Sequence, residues 1–150
     1  MREARSMQRF LGFDHIDVRV RSLAAVEPFY DAIMPLLGLL KKTVSYVDEA
    51  GDWHDADATR YNTVEYFEEV DPGERCRFIG FIEVPAMTPV LTRIAFRVGS
   101  AAEVEAWAAD LPAHGALNVE RSEDMAGYPA VFFEDPAGTK LEICALIPKA

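Results

Sequence analysis

The chain has little with which to bind a polyanion, cross a bilayer or cross-link itself. Its 150 residues carry 15 Lys and Arg against 25 Asp and Glu, a formal net charge of −10. A nucleic-acid partner requires a basic surface that displaces counterions, so no DNA or RNA role is expected. No apolar run reaches the roughly 18 residues of a membrane span. None of signal-peptide length follows the Arg-rich start MREARSMQRFLGF, which predicts no membrane partner and a cytoplasmic location. Cys76 and Cys144 are the only cysteines. They form neither a CxxC pair nor a disulfide framework, and read as small strand hydrophobes in a reducing compartment. There is no Walker phosphate loop, no GxGxxG, no GxSxG elbow, and no Ser or Cys with a base flagged beside it. Nucleotide-driven and hydrolytic chemistry lose ground accordingly.

What is present is a repeat. Shifted by 78 positions, His15 to Tyr30 (HIDVRVRSLAAVEPFY) lies over Arg93 to Ala108 (RIAFRVGSAAEVEAWA), with seven of sixteen pairs identical. They are Ile16/Ile94, Arg19/Arg97, Val20/Val98, Ser22/Ser100, Ala24/Ala102, Val26/Val104 and Glu27/Glu105. One structural unit used twice explains this, and a site is then expected between the halves. The 50% hydrophobic content is ample for the core of a single domain of this length.

Each half reads as β-α-β-β-β. Phe13 to Val20 alternates, with Ile16, Val18 and Val20 on one face and His15, Asp17 and Arg19 on the other, the pattern of a half-buried strand. Ser22 is a candidate N-cap for a helix that Gly38 ends and Pro35 kinks or shortens. Strands follow near Thr43 to Val47, Thr63 to Glu68 and Phe78 to Val84. The second half offers Ile94 to Val98, a helix from Ala101 to Ala113 closed by Gly115, and strands at Asn118 to Arg121, Ala130 to Glu134 and Lys140 to Ala145. The units span about residues 12–84 and 92–147, with 85–91 as a Pro-containing linker. The segment 48–62 is read as a lid or mobile excursion, Trp53-His54 as solvated loop with a packed Trp, and Glu65, Glu68, Glu69 and Asp71 as solvated surface.

A β-α-β-β-β unit used twice, with FDHIDVRV opening the first copy, RIAFRV the second, and YPAVFFEDPAGTKLEI closing it, resembles the vicinal oxygen chelate superfamily. That group holds glyoxalase I, extradiol ring-cleaving dioxygenases, fosfomycin-resistance transferases and metal-free bleomycin-binding proteins. The resemblance covers about residues 12 to 147. It implies an α+β fold in which two tandem modules form a cup-shaped mixed sheet around a small-molecule site, and a homodimer.

It further implies a metal ligand at His15 on the first strand and at Glu142 on the last, with Glu142 also a catalytic base in an enzyme. Imidazole and carboxylate together suit Fe, Ni, Zn or Mn. The third position is occupied by Arg93, which keeps its proton and repels a cation. A fourth position falls on Gly80 or on Glu83, which point to opposite faces; Gly80 is favoured. An Arg93–Glu142 ion pair standing in for the metal is one reading of the centre. Arg93, Asp17, Arg19, Arg97, Tyr66 and Tyr128 are the candidate substrate-binding groups, with Arg19 and Arg97 as apt to pair with Asp17 or Glu134 as with a ligand. Two functions stay open. One is a metal-assisted lyase, isomerase or ring-cleaving dioxygenase; the other is a metal-free binding protein for an anionic or aromatic small molecule.

Overall fold

A computed structural model describes residues 11–146; the Arg-rich start and residue 147 of the expected second unit lie outside the described residues. The first unit is β1 (His15–Val20), α1 (Leu23–Leu36), β2 (Lys41–Val47), β3 (Trp53–Asp55), β4 (Thr63–Phe67) and β5 (Phe78–Glu83). The second is β6 (Arg93–Arg97), α2 (Ala101–Asp110), a short 3₁₀ helix (Leu111–His114), β7 (Leu117–Arg121), β8 (Ala130–Glu134) and β9 (Lys140–Cys144).

Both helices start as the sequence demands. Ser22 Oγ accepts from the Ala25 amide at 3.2 Å, and Ser100 Oγ accepts from the Glu103 amide at the same distance. Each supplies one of the partners that a first helical turn lacks. The Glu103 carboxylate also accepts from the Gly99 amide at 2.5 Å, one residue ahead of the cap, and so ties the incoming chain to the first turn. α1 stops one residue beyond Pro35, and Gly38 follows at φ +89°, a conformation glycine adopts without a Cβ penalty. α2 is shorter than expected. Pro112 has no amide hydrogen to give Ala108, so the chain tightens into the 3₁₀ helix at Leu111 before Gly115 closes it.

The strands form two mixed sheets, ordered β1-β5-β4-β2-β3 and β6-β9-β8-β7. β1 runs parallel to β5 and β6 parallel to β9, with the other neighbours antiparallel. Asp17 lies opposite Gly80 in one sheet and Ala95 opposite Glu142 in the other. By the 78-residue shift, Gly80 and Glu142 are therefore equivalent.

The core belongs to both units. Phe29 and Tyr30 of α1 reach into a cluster that includes Phe81 of the first sheet and Phe133, Leu141 and Ile143 of the second. Tyr30 stacks on Phe81 at 3.6 Å between centroids. Its hydroxyl donates to Asp135 Oδ2 at 2.6 Å, and Asp135, fully buried, also accepts from the Ala137 and Thr139 amides. Asp135 thus organises the Asp-Pro-x-Gly turn, with Gly138 at φ +95°, and ties it to α1.

Segment 48–62 is not an irregular excursion. Asp48 Oδ1 accepts from the Ala50 and Asp52 amides at 2.9 Å, Gly51 takes φ +88°, and the chain returns as β3 along β2. A side chain that satisfies the turn's own amides makes a hairpin of what composition presented as a loop. The first sheet is thereby one strand wider than the second. Among the described residues no helix is long and apolar enough to cross a membrane.

Candidate functional site

Strand alternation puts the helices on one face of each sheet and leaves the other face free for chemistry. In the first sheet the helix-free face carries His15, Asp17 and Arg19 of β1, Phe78 and Gly80 of β5, Glu65 of β4, Ser45 of β2 and Trp53 of β3, as the pairings require. His15 stacks on Phe78 at 4.5 Å with the rings within 2° of parallel, and Phe78 stacks on Phe67. The imidazole lies 2.8 Å from Asp14 through Nδ1 and 3.8 Å from Asp17 through Nε2. The Asp14 hydrogen bond, aided by the charges of Asp17 and Glu65, holds His15 above its ordinary pKa.

His15, Asp17, Trp53, Glu65 and Phe78 line a cavity of about 290 Å³. Burial pushes the Glu65 carboxyl up, with Asp17 adding like charge, while a hydrogen bond from Ser45 opposes the shift. Asp17 Oδ1 is buried and, among the described residues, accepts no hydrogen bond. Gly80 makes room for it: a Cβ there would sit 2.9 Å from Asp17 Oδ1 and 3.4 Å from Glu65 Cγ.

The second sheet presents Arg93, Ala95 and Arg97 of β6 beside Lys140, Glu142 and Cys144 of β9, with Phe132 and Glu134 of β8 across from them. Glu142, only 7% exposed, accepts from the Tyr128 hydroxyl at 2.5 Å. That bond keeps the phenol proton in place, and the Tyr128 pKa is pushed up to about 12. The Arg93 guanidinium lies over the Phe132 ring at 4.7 Å. Lys140 pairs with Glu134.

These positions bear on several expectations. Gly80, not Glu83, shares the helix-free face with the first-strand residues, because Glu83 accepts from the Leu23 amide at 2.8 Å at the start of α1. Tyr66 is not a wall of the site. Odd residues of β4 face the cavity, so Tyr66 points the other way, 2% exposed, and its hydroxyl donates to Asp31 on α1. Tyr128 does stand at the second face, against Glu142.

The Arg93–Glu142 pair is not among the ion pairs of the described residues. Arg93 lies opposite Lys140, two residues or about 6.6 Å along the strand from the position facing Glu142. Arg19 and Arg97 likewise form no ion pair with Asp17 or Glu134 among the described residues. Arg19 lines a groove with Val18, Met87 and Ile94, and Arg97 one with Leu36 and Trp107.

Sequence reasoning missed Glu65 and Trp53. The alternation Thr63, Glu65, Phe67 against Val64, Tyr66 was the available signal for Glu65: a carboxylate on the face opposite the apolar one is surface only if nothing closes over it. Trp53 became part of the wall through β3, which the pattern did not reveal.

His15 and Glu142 stand on separate sheets. Among the described residues no three His, Cys, Asp or Glu side chains come together so as to hold a metal ion. The donor set does not fit the divalent metal that the family's metal-using members carry, because Gly80 offers no side-chain donor and Arg93 keeps its proton.

A family model described as the Glyoxalase/Bleomycin resistance protein/Dioxygenase superfamily matches residues 12–143. A comparison with curated proteins gave no match. Among solved structures, a glyoxalase/bleomycin resistance protein from Albidiferax ferrireducens aligns with TM-score 0.57 at 20% identity, covering 90% of this chain and 98% of that one. A glyoxalase/bleomycin resistance protein/dioxygenase from Nocardioides aligns with TM-score 0.55 at 14% identity over 97% and 89%. A mutant of the fosfomycin resistance protein FosX from Listeria monocytogenes, complexed with Mn(II) and dihydroxypropylphosphonic acid, aligns with TM-score 0.53 at 18% identity over 93% and 95%. Likeness at these identities is likeness of fold.

Proposed function

The chain belongs to the Glyoxalase/Bleomycin resistance protein/Dioxygenase superfamily, and from that membership we propose that it binds a small molecule on its helix-free faces without a metal. One observation carries the reading: the equivalents of the expected ligand positions hold His15, Gly80, Arg93 and Glu142, of which one has no side-chain donor and one is a fixed cation. A carboxylate engaged by a phenol and an arginine stacked on a ring are recognition groups. In this role Arg93, Arg97 and Tyr128 bind and orient ligand atoms on the second face, and His15, Asp17 and Arg19 on the first. Glu142 positions Tyr128.

Two copies pairing would cover these faces. Among the described residues the outer edges of β1 and β6 have no strand partner, and Val90 and Leu91 are 65% and 90% exposed. Sedimentation at micromolar concentration should give a dimer, and a monomer there removes the assembly.

The function is tested by metal analysis of protein purified without chelator, then after incubation with Mn²⁺, Ni²⁺ and Zn²⁺. The expected content is well below one equivalent. One tight equivalent lost in both His15→Ala and Glu142→Ala would overturn the metal-free reading in favour of a metal-assisted enzyme.

A further inference from the structure

We propose that the cavity of the first unit recognises an organic cation, an ammonium or guanidinium group attached to an aromatic or other apolar body, held against the Trp53 indole with Asp17 and Glu65 as its counter-ions. The inference rests on the small-molecule reading above and names the ligand class for one of its two faces.

Charge comes first. Asp17 and Glu65 both line the cavity of about 290 Å³, and among the described residues neither meets a lysine or arginine. His15 is 3.8 Å from Asp17, too far for a hydrogen bond, and is engaged at close range by Asp14 instead. Two carboxylates facing one cavity repel each other, and desolvation makes that repulsion count for more than at an open surface. Asp17 Oδ1 adds to this cost, being a buried acceptor that nothing among the described residues satisfies. A cation placed between the carboxylates relieves all of these at once.

The walls come second. Trp53 presents its indole face, which attracts cations and carries the apolar part of a ligand, while the Phe78 ring, covered on both faces, closes the apolar side of the cavity. Phe78 is held flat by His15 on one side and by Phe67 on the other, so its orientation is set before any ligand arrives. Trp53, 46% exposed, has no comparable packing; β3 holds it in place through the Asp48 turn.

The comparison between units comes third. Among the described residues the second unit has no strand equivalent to β3, and its residue opposite Glu142 is Phe132 where the first unit has Glu65 opposite Gly80. The strand that carries Trp53 has been added to the first unit alone. A hydrated inorganic cation would use the carboxylates but not the rings, and an anion would use neither.

The test is calorimetric titration with phenyltrimethylammonium, its neutral isostere tert-butylbenzene, benzoate and Mn²⁺, with the Trp53 indole signal followed by NMR. Phenyltrimethylammonium should bind about tenfold or more tighter than the neutral isostere and shift Trp53. Asp17→Asn and Glu65→Gln, which keep side-chain shape, should each remove most of that preference; Trp53→Ala should weaken binding of the cation while Trp53→Phe retains it. Equal affinity for the neutral isostere, or tighter binding of benzoate with a Trp53 shift, overturns the cation proposal and leaves the small-molecule reading standing. Displacement of phenyltrimethylammonium by stoichiometric Mn²⁺ also overturns it, in favour of a metal ion. If none of the four perturbs either face, both readings fall.

Discussion

Replacing Gly80 with alanine separates what the cavity contributes to folding from what it contributes to binding. The added Cβ would lie 2.9 Å from Asp17 Oδ1 and 3.4 Å from Glu65 Cγ. The first contact is too close to persist, but the obstructing atom is the end of a side chain, so Asp17 rotates and the backbone stays. Gly80 is outside the positive-φ region, so alanine fits its backbone. A glycine in a strand interior costs roughly 0.5–1 kcal/mol relative to alanine. Turning Oδ1 toward solvent further recovers part of the roughly 1–3 kcal/mol that an unsatisfied buried acceptor costs. Against these stands a loss of packing of similar size. The net effect should lie within about 1 kcal/mol of zero, a change of roughly 2–4 °C in Tm for a chain of this size. Phenyltrimethylammonium affinity should nevertheless fall about fivefold or more, since the displaced carboxylate both leaves its position and narrows the cavity. Thermal unfolding by circular dichroism and calorimetric titration on one preparation read both quantities. A loss of more than about 5 °C, or unchanged affinity, refutes the argument.

Tyr30→Phe removes a buried hydrogen bond to a charged group and should cost about 1.5–3 kcal/mol in urea unfolding; a double-mutant cycle with Asp135→Asn showing strict additivity would deny the coupling. Glu65→Gln should be more stable than the parent at pH 7, because burial raises the folded pKa of Glu65. The stability that protonation confers is complete below its unfolded value and lost as pH rises through the raised folded one. The gain should therefore vanish near pH 4, and a pH-independent difference in Tm would contradict it. Glu142→Gln removes the charged acceptor of the Tyr128 hydroxyl and should lower the phenol pKa from about 12 toward its ordinary value, seen by ultraviolet difference titration; an unchanged titration counts against the bond. Arg93→His replaces the fixed cation with a neutral donor and should raise Ni²⁺ or Zn²⁺ retention above the parent, measured by elemental analysis after dialysis, with equal retention in both as the contrary result.

The repeat made the fold legible and also showed where it would stop being informative. Identical pairs such as Ile16/Ile94, Val20/Val98 and Val26/Val104 lie on the helix side of strands or inside helices, and Ser22 and Ser100 cap helices in both units. These positions answer to burial and to backbone geometry, which leave period and composition in the sequence. On the helix-free faces the equivalents diverge apart from Arg19/Arg97, with His15 against Arg93 and Asp17 against Ala95, and there the sequence names the groups without saying what they touch. Tyr66 shows the limit. A tyrosine reads equally well as a wall or as core, and only its register opposite Ile79 decides. β3 was hidden for another reason: a three-residue strand made by one aspartate satisfying its own turn has no periodicity to detect.

The sharing of one core by α1 and the second sheet bears on what happens if the chain is cut. Cleavage in the 85–91 segment would sever no strand and no helix. The first fragment would then carry Phe29 and Tyr30 with no Phe133 or Asp135 to receive them, while the second would leave Leu141 and Ile143 uncovered. Neither half is therefore expected to hold its shape by itself. Mixed together, the fragments should recombine into one particle, with a midpoint that depends on concentration. Each unit's tolerance for change on its inner side is thus set by the other, as in a bimolecular complex whose partners happen to share a backbone.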